Sequence, residues 1–160
     1  MIYVIHVQTG WESDVCQSLA KIGLDGRGPD HELLERRKGE WHKVRRTLFP
    51  GYVFLVADRM TDEMYYAVRK TDGVVRFLGR PPTPLSVSEA ARLSWILDAG
   101  VLTVSEGYVD ADGIHITGGI LQGREKYIVK YSRRRKRCTL YCEINRRRIY
   151  YDISCELTIR

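Results

Sequence analysis

The sequence predicts an α+β chain in two parts: one sheet covered by helices on one side, then a small all-β barrel. Three observations carry this. Up to Gly100, strand-type apolar runs alternate with segments that have helix caps and helical spacing. From Tyr108 onward helical periodicity is lost and short strand-type runs recur. The charge changes too. Residues 1–107 hold 14 basic and 14 acidic side chains, whereas residues 108–160 hold 12 basic and 6 acidic. We therefore expect one domain over 1–99, a linker over 100–107 and a second domain over 108–160.

The elements follow in order. Ile2 to Gln8 reads as a buried strand. Thr9 with Glu12 three residues on reads as a capping box opening a helix, with Val15, Leu19 and Ile22 inward and Gly23 at its stop. Residues 24–31 read as loop, and residues 32–38 and 40–48 as the arms of a β-hairpin turning at Lys38-Gly39. Gly51 to Ala57 is the next strand. Thr61 caps a second helix that ends near Thr71, and Val74 to Leu78 is a short strand. Ser86 with Glu89 is another capping box, and its helix carries Leu93, Ile96 and Leu97 inward before Gly100. In the second part, strands are expected at 114–117, 126–131, 138–144, 147–153 and 156–159.

Composition bounds the function. No apolar run approaches the roughly 18 residues that suggest a membrane span, and the N-terminus lacks the basic region of a signal peptide. A cytoplasmic protein with reduced cysteines is expected, and a monomer. His6, His31, His42 and His115 stand in no recognisable motif with a Ser or Cys nucleophile, and no phosphate-binding glycine fingerprint is present. Hence neither catalytic residues nor a cofactor are expected. Cys138 and Cys142 do not suit zinc: four strand residues span about 13 Å, too far for two Zn–S bonds of about 2.3 Å. They read better as small residues on one face of the barrel.

The most informative stretch is Arg45-Arg-Thr-Leu-Phe-Pro-Gly-Tyr-Val-Phe-Leu55. Pro50 and Gly51 put a bend between Phe49 and Tyr52, ahead of a strand that should be buried. Alone, Phe49 is as good a core lid as a contact. The other concentrated signal is charge: residues 124–148 hold 11 basic and 2 acidic side chains. Such a block favours a polyanion.

Three segments resemble the NusG family of transcription factors. They are Ile2-Tyr-Val-Ile-His-Val-Gln-Thr-Gly-Trp-Glu12, Leu48-Phe-Pro-Gly-Tyr-Val-Phe-Leu55, and Val68-Arg-Lys-Thr-Asp-Gly-Val-Val-Arg-Phe-Leu-Gly79. Gly118-Gly-Ile-Leu-Gln-Gly123 resembles the family's KOW motif. The resemblance covers nearly the whole chain. It implies an N-terminal NGN domain, a ferredoxin-like α/β sandwich, and a C-terminal SH3-like KOW barrel. The general factors carry a Phe-Gly-Arg-x-Thr-Pro stretch that meets the ribosome. Here the region reads Glu143-Ile-Asn-Arg-Arg-Arg-Ile-Tyr-Tyr-Asp152, which looks like a specialised paralogue.

The resemblance also implies surfaces. Carried over by alignment, His6, Phe49, Pro50 and Tyr52 meet the clamp helices of the RNA polymerase largest subunit. Arg45 and Arg46 either add to that contact, touch upstream DNA, or form a solvated β-hairpin. Tyr66 either faces the other side of the polymerase channel or packs on the sheet. In the barrel, Arg124, Lys126, Lys130, Arg133, Arg134, Arg135, Lys136, Arg137, Arg146, Arg147 and Arg148 are the expected RNA-binding residues. Tyr131 and Tyr141 either stack on bases or fill the core. The expected ligand is an RNA hairpin in the nascent leader, and the expected activity is antitermination. A general factor coupling transcription to translation through the ribosome, and a stand-alone RNA-binding protein, are the rivals.

Overall fold

A computed structural model describes residues 1–160. In chain order the elements are β1 (Ile2–Val7), α1 (Glu12–Lys21), β2 (Asp25–Arg27), β3 (Asp30–Arg37), β4 (Glu40–Thr47), β5 (Tyr52–Val56), α2 (Asp62–Arg69), β6 (Val74–Phe77) and α3 (Val87–Ala99). Then come β7 (Val101–Leu102), β8 (Ser105–Asp110), β9 (Gly113–Gly118), a short 3₁₀ turn (Glu125–Tyr127), β10 (Lys130–Ser132), β11 (Arg137–Ile144) and β12 (Arg147–Ile159). The class is α+β. The chain forms two compact units that are not contiguous in sequence. The first holds Met1–Pro29, Thr47–Gly100 and Glu143–Arg147; the second holds Asp30–Arg46, Val101–Cys142 and Arg148–Arg160.

The first unit is built on an antiparallel sheet in the order β2-β5-β1-β6. Strand alternation sends Tyr3, Ile5 and Val7 to one face, where they pack with Val53, Leu55 and Phe77 and with Val15 and Leu19 of α1 and Val68 of α2. A loop over 24–31 was expected; instead Asp25–Arg27 pairs with β5. Gly26 makes this fit possible, since a Cβ there would stand 2.7 Å from Leu19 Cδ1. Ile22 was expected in the core but lies past the end of α1 and is half exposed. The caps of the later helices form as expected. Thr61 Oγ1 accepts from Met64 N at 3.2 Å, and Ser86 and Glu89 close a reciprocal capping box.

The second unit contains a five-stranded sheet, β10-β11-β12-β8-β9, and a three-stranded sheet, β4-β3-β7. The Lys38-Gly39 turn of the β3–β4 hairpin has φ of 51° and 80°, the two positive values of a type I′ turn. β11 alternates without a break: Cys138, Leu140, Cys142 and Ile144 are buried. Cys138 and Cys142 therefore do share one face.

Five strands were expected after residue 108. Five form after residue 104, but not the same five. Residues 101–107, read as a connection, carry β7 and the start of β8. Residues 126–131, read as one strand, are a 3₁₀ turn followed by β10. The two strands expected over 147–159 are one. Ser154 and Cys155, at the expected break, are buried, and Ser154 Oγ accepts from Leu34 N at 2.9 Å. A serine competes with a strand by bonding nearby backbone, and here its hydroxyl is engaged by a distant amide instead.

Candidate protein and nucleic-acid interfaces

The first candidate is the Phe-Pro-Gly-Tyr corner. The expected capping box at Thr9 does not form. Instead, Trp11 is the N-cap, without a side-chain bond. Glu12 is buried, and its carboxylate accepts from Gly10 N at 2.9 Å and from Gly51 N at 2.9 Å. It thus ties the start of α1 to the bend. Gly51 has φ of 87°, a conformation that costs glycine nothing. Val7 N donates to Gly51 O at 2.9 Å and Tyr52 N to Phe49 O at 3.1 Å, which closes the bend against β1.

The aromatic residues of the corner then divide. Phe49 is only 3 % exposed and meets Phe54 edge-on, with centroids 5.6 Å apart. Pro50 is exposed, while His6 and Tyr52 are half-buried partners across β1 and β5, with rings 5.9 Å apart. Phe49 is therefore the support, and His6, Pro50 and Tyr52 are the surface. Arg45 and Arg46 belong to the other unit. There the β-hairpin neutralises them: Arg45 reaches Asp30 at 2.8 Å and Arg46 reaches Glu35 at 3.7 Å, beside a Lys43–Glu32 pair at 3.6 Å.

Tyr66 does not pack on the sheet; it is 60 % exposed. Its neighbour Tyr65 does, stacked on Phe77 at 5.6 Å. Arg69 donates to the Tyr65 hydroxyl at 2.8 Å. Both tyrosines line an open groove of about 1050 Å³ with Met60, Arg69, Val75 and Phe77, which the sequence did not signal.

The second candidate is the basic tract. Arg124, Lys126 and Lys130 were expected on one strand face, but the 3₁₀ turn separates them. Arg124 donates to Ile120 O at 2.8 Å, and Lys126 lies over the Tyr127 ring. Lys130 is exposed on β10. The turn between β10 and β11 presents Arg133, Arg134 and Arg135 to solvent. Lys136 is not a free cation: its Nζ sits 4.5 Å from the Trp41 ring centre and 4.0 Å from Glu156. Arg135 and Arg137 share Asp152, each at 3.9 Å.

The second arginine run occupies the β11–β12 turn. Asn145 and Arg146 have φ of 54° and 65°. Arg146 N donates to Glu89 at 3.0 Å; burial pushes that carboxyl up, but the bonds it accepts from Ser86, Arg146 and Asn145 outweigh burial and leave it below its ordinary range. Arg147 is exposed, and Arg148 lies 4.3 Å over the Tyr141 ring. Tyr131 is 39 % exposed. The eight residues of β11 separate the two turns, a rise of about 26 Å at roughly 3.3 Å each.

His31 explains how the β-hairpin joins this unit. It is buried, and its Nδ1 lies 3.0 Å from Asp152 O. Desolvation pushes its pKa below the ordinary value; the Asp152 bond opposes this and the Arg137 charge adds to it. Sequence reasoning read Glu12 only as part of a helix cap, and gave no role to Arg36, Arg37 or Trp41. The last three stood in plain view inside a basic β-hairpin.

Fold and surfaces together define a two-unit α+β protein whose second unit carries an arginine-rich turn. A family model described as "Transcription termination factor nusG" matches residues 2–94. The chain belongs to the NusG family. The "Transcription termination/antitermination protein NusG" of Bacillus subtilis (strain 168) is 36 % identical over 102 residues, 55 % of this chain and 57 % of that protein. The protein of the same description from Vibrio parahaemolyticus is 33 % identical over 138 residues, covering 69 % of this chain and 75 % of that protein. The match to the first relative thus spans little more than half its length. Thermotoga maritima NusG, solved to show its domain interaction, superposes with a TM-score of 0.52 over 96 % of this chain and 92 % of that one. At 20 % identity that likeness concerns the fold.

Proposed function

We propose that the chain is a specialised, LoaP-like member of its family: a non-enzymatic antitermination factor. In this reading the first unit is the NGN domain and binds the clamp helices of RNA polymerase. The second unit carries the KOW domain and binds an RNA hairpin in the nascent leader, so that pausing and termination are suppressed in chosen operons. The observation that carries the reading is the turn Arg133–Arg135, three exposed guanidinium groups whose one ion pair is with Asp152, shared with Arg137 at 3.9 Å. Unneutralised charge of this density is what a phosphate backbone attracts. The surface of His6, Pro50 and Tyr52 supplies the polymerase contact, in the manner of an aromatic hot spot.

The test has two arms. Tyr52→Ala and His6→Ala should weaken binding to purified RNA polymerase without changing RNA affinity. The wild type should prefer the leader hairpin over a scrambled hairpin of equal length. Equal affinity for both RNAs would defeat the hairpin reading in favour of a general coupling factor. Undiminished polymerase binding by both variants would remove the assigned contact.

A further inference from the structure

We infer that the β3–β4 hairpin supplies the second wall of the RNA site: Arg36, Arg37 and Trp41 line one groove with Arg134, Arg135 and Arg137, and this groove holds the phosphate backbone of an RNA stem. The inference rests on the RNA-binding reading above and extends it to a segment outside the expected barrel. The groove has a volume of about 480 Å³ and lies within the second unit.

Charge makes the case. Five arginines and one carboxylate, Glu35, line the groove. Glu35 is already shared by Arg37 at 2.9 Å and Arg46 at 3.7 Å. Arg36 and Arg134 are exposed and have no acidic partner. Arg137 lies deeper in the groove, its Nε buried and its Nη1 3.9 Å from Asp152. A protein gains nothing from holding these guanidinium groups together; a phosphate backbone repays it, because each fork matches two phosphate oxygens.

Trp41 adds what charge lacks. Lys136 holds the indole from one side at 4.5 Å. A flat aromatic wall in a cationic groove can stack a base at a loop or bulge. This also gives Lys136 a different role from the one its neighbours have. It positions Trp41 instead of meeting phosphate itself.

The experiment uses the full chain and fluorescence anisotropy. The probes are a labelled RNA hairpin copied from the transcribed leader of the operon that carries this chain, a DNA hairpin of the same sequence, and polyglutamate. Arg36→Gln should weaken the RNA hairpin about five-fold and lower the slope of log affinity against log salt by about 0.9. Arg36→Lys should restore the slope, and Arg134→Gln should behave like Arg36→Gln. If the wild type binds no RNA, the underlying reading fails and this inference with it. If Arg134→Gln weakens binding while Arg36→Gln and Trp41→Ala do not, the two-walled site alone is overturned. DNA or polyglutamate bound as tightly as RNA would overturn the assignment to RNA.

Discussion

The Phe-Pro-Gly-Tyr corner and the arginine turn before β11 are both short bends at the entry of a strand, yet they are held in opposite ways. The corner is made by burial. One carboxylate, Glu12, satisfies two backbone donors, and Phe49 is sealed beneath the bend. The turn is made of surplus charge. Its arginines are exposed, and their one ion pair is with Asp152, at 3.9 Å. The first design concentrates its energy in two side chains and fails at a single substitution. The second spreads a small energy over many cations, tolerates single changes and answers to salt. Strand β4 is the control, since its Lys43, Arg45 and Arg46 look like the turn in sequence but are matched by Glu32, Asp30 and Glu35.

The comparison can be broken at its strongest point first. Phe49→Ala should cost about 3–5 kcal/mol of stability, as truncations of buried aromatics do. Chemical denaturation measures this, and a loss under about 1 kcal/mol would mean that Phe49 is a surface contact after all. Any loss of polymerase binding in that variant should then track unfolding.

Glu12→Ala comes next. It leaves the Gly10 and Gly51 amides without their acceptor and should cost about 2–4 kcal/mol. Glu12→Gln, which keeps one oxygen, should recover part of this. Hydrogen exchange at Gly51 should rise in both variants, and an unchanged rate would show that the bend stands without Glu12.

The arginine turn should show the reverse pattern. The double change Arg133→Gln with Arg134→Gln should leave stability within about 0.5 kcal/mol. It should also lower the salt slope of RNA binding by about 1.8, from two contacts of roughly 0.9 each. Arg45→Gln with Arg46→Gln should lower it by less than half as much. Equal slopes for the two pairs would erase the distinction between matched and unmatched cations.

The smallest effect concerns pH. His31, facing Asp30, Asp152 and Arg137, has its pKa lowered in the folded state, chiefly by burial. The unfolded chain therefore binds the proton more readily. The contribution is fully present above the ordinary value of 6.5 and is lost as pH falls from there through the folded value. Thermal melts should weaken over that window in the wild type and less so in His31→Gln. Identical pH profiles would remove His31 from the account.

Much of this was readable from residues alone. Thr61 and Ser86 cap their helices, Lys38-Gly39 turns its β-hairpin, and the buried residues of β11 alternate, because each depends on neighbours within a few positions. The corner itself was legible as a bend, and so was the basic tract as a tract. The errors share a cause. Thr9 was given the cap, although Glu12 spends its carboxylate on Gly51, 39 residues away. A strand end was placed at Ser154, whose hydroxyl is taken by Leu34, 120 residues away.

The sequence by itself determined the class of fold, the local caps and turns, and the places where charge accumulates, since these follow from backbone preference and side-chain period. Only the tertiary structure decided which charges are cancelled. Arg45, paired with Asp30, and Arg134, which makes no ion pair, differ in nothing that a neighbouring residue in the chain reveals. Coulomb energy depends on distance in space and on solvent exposure, and both are set only when distant strands pair.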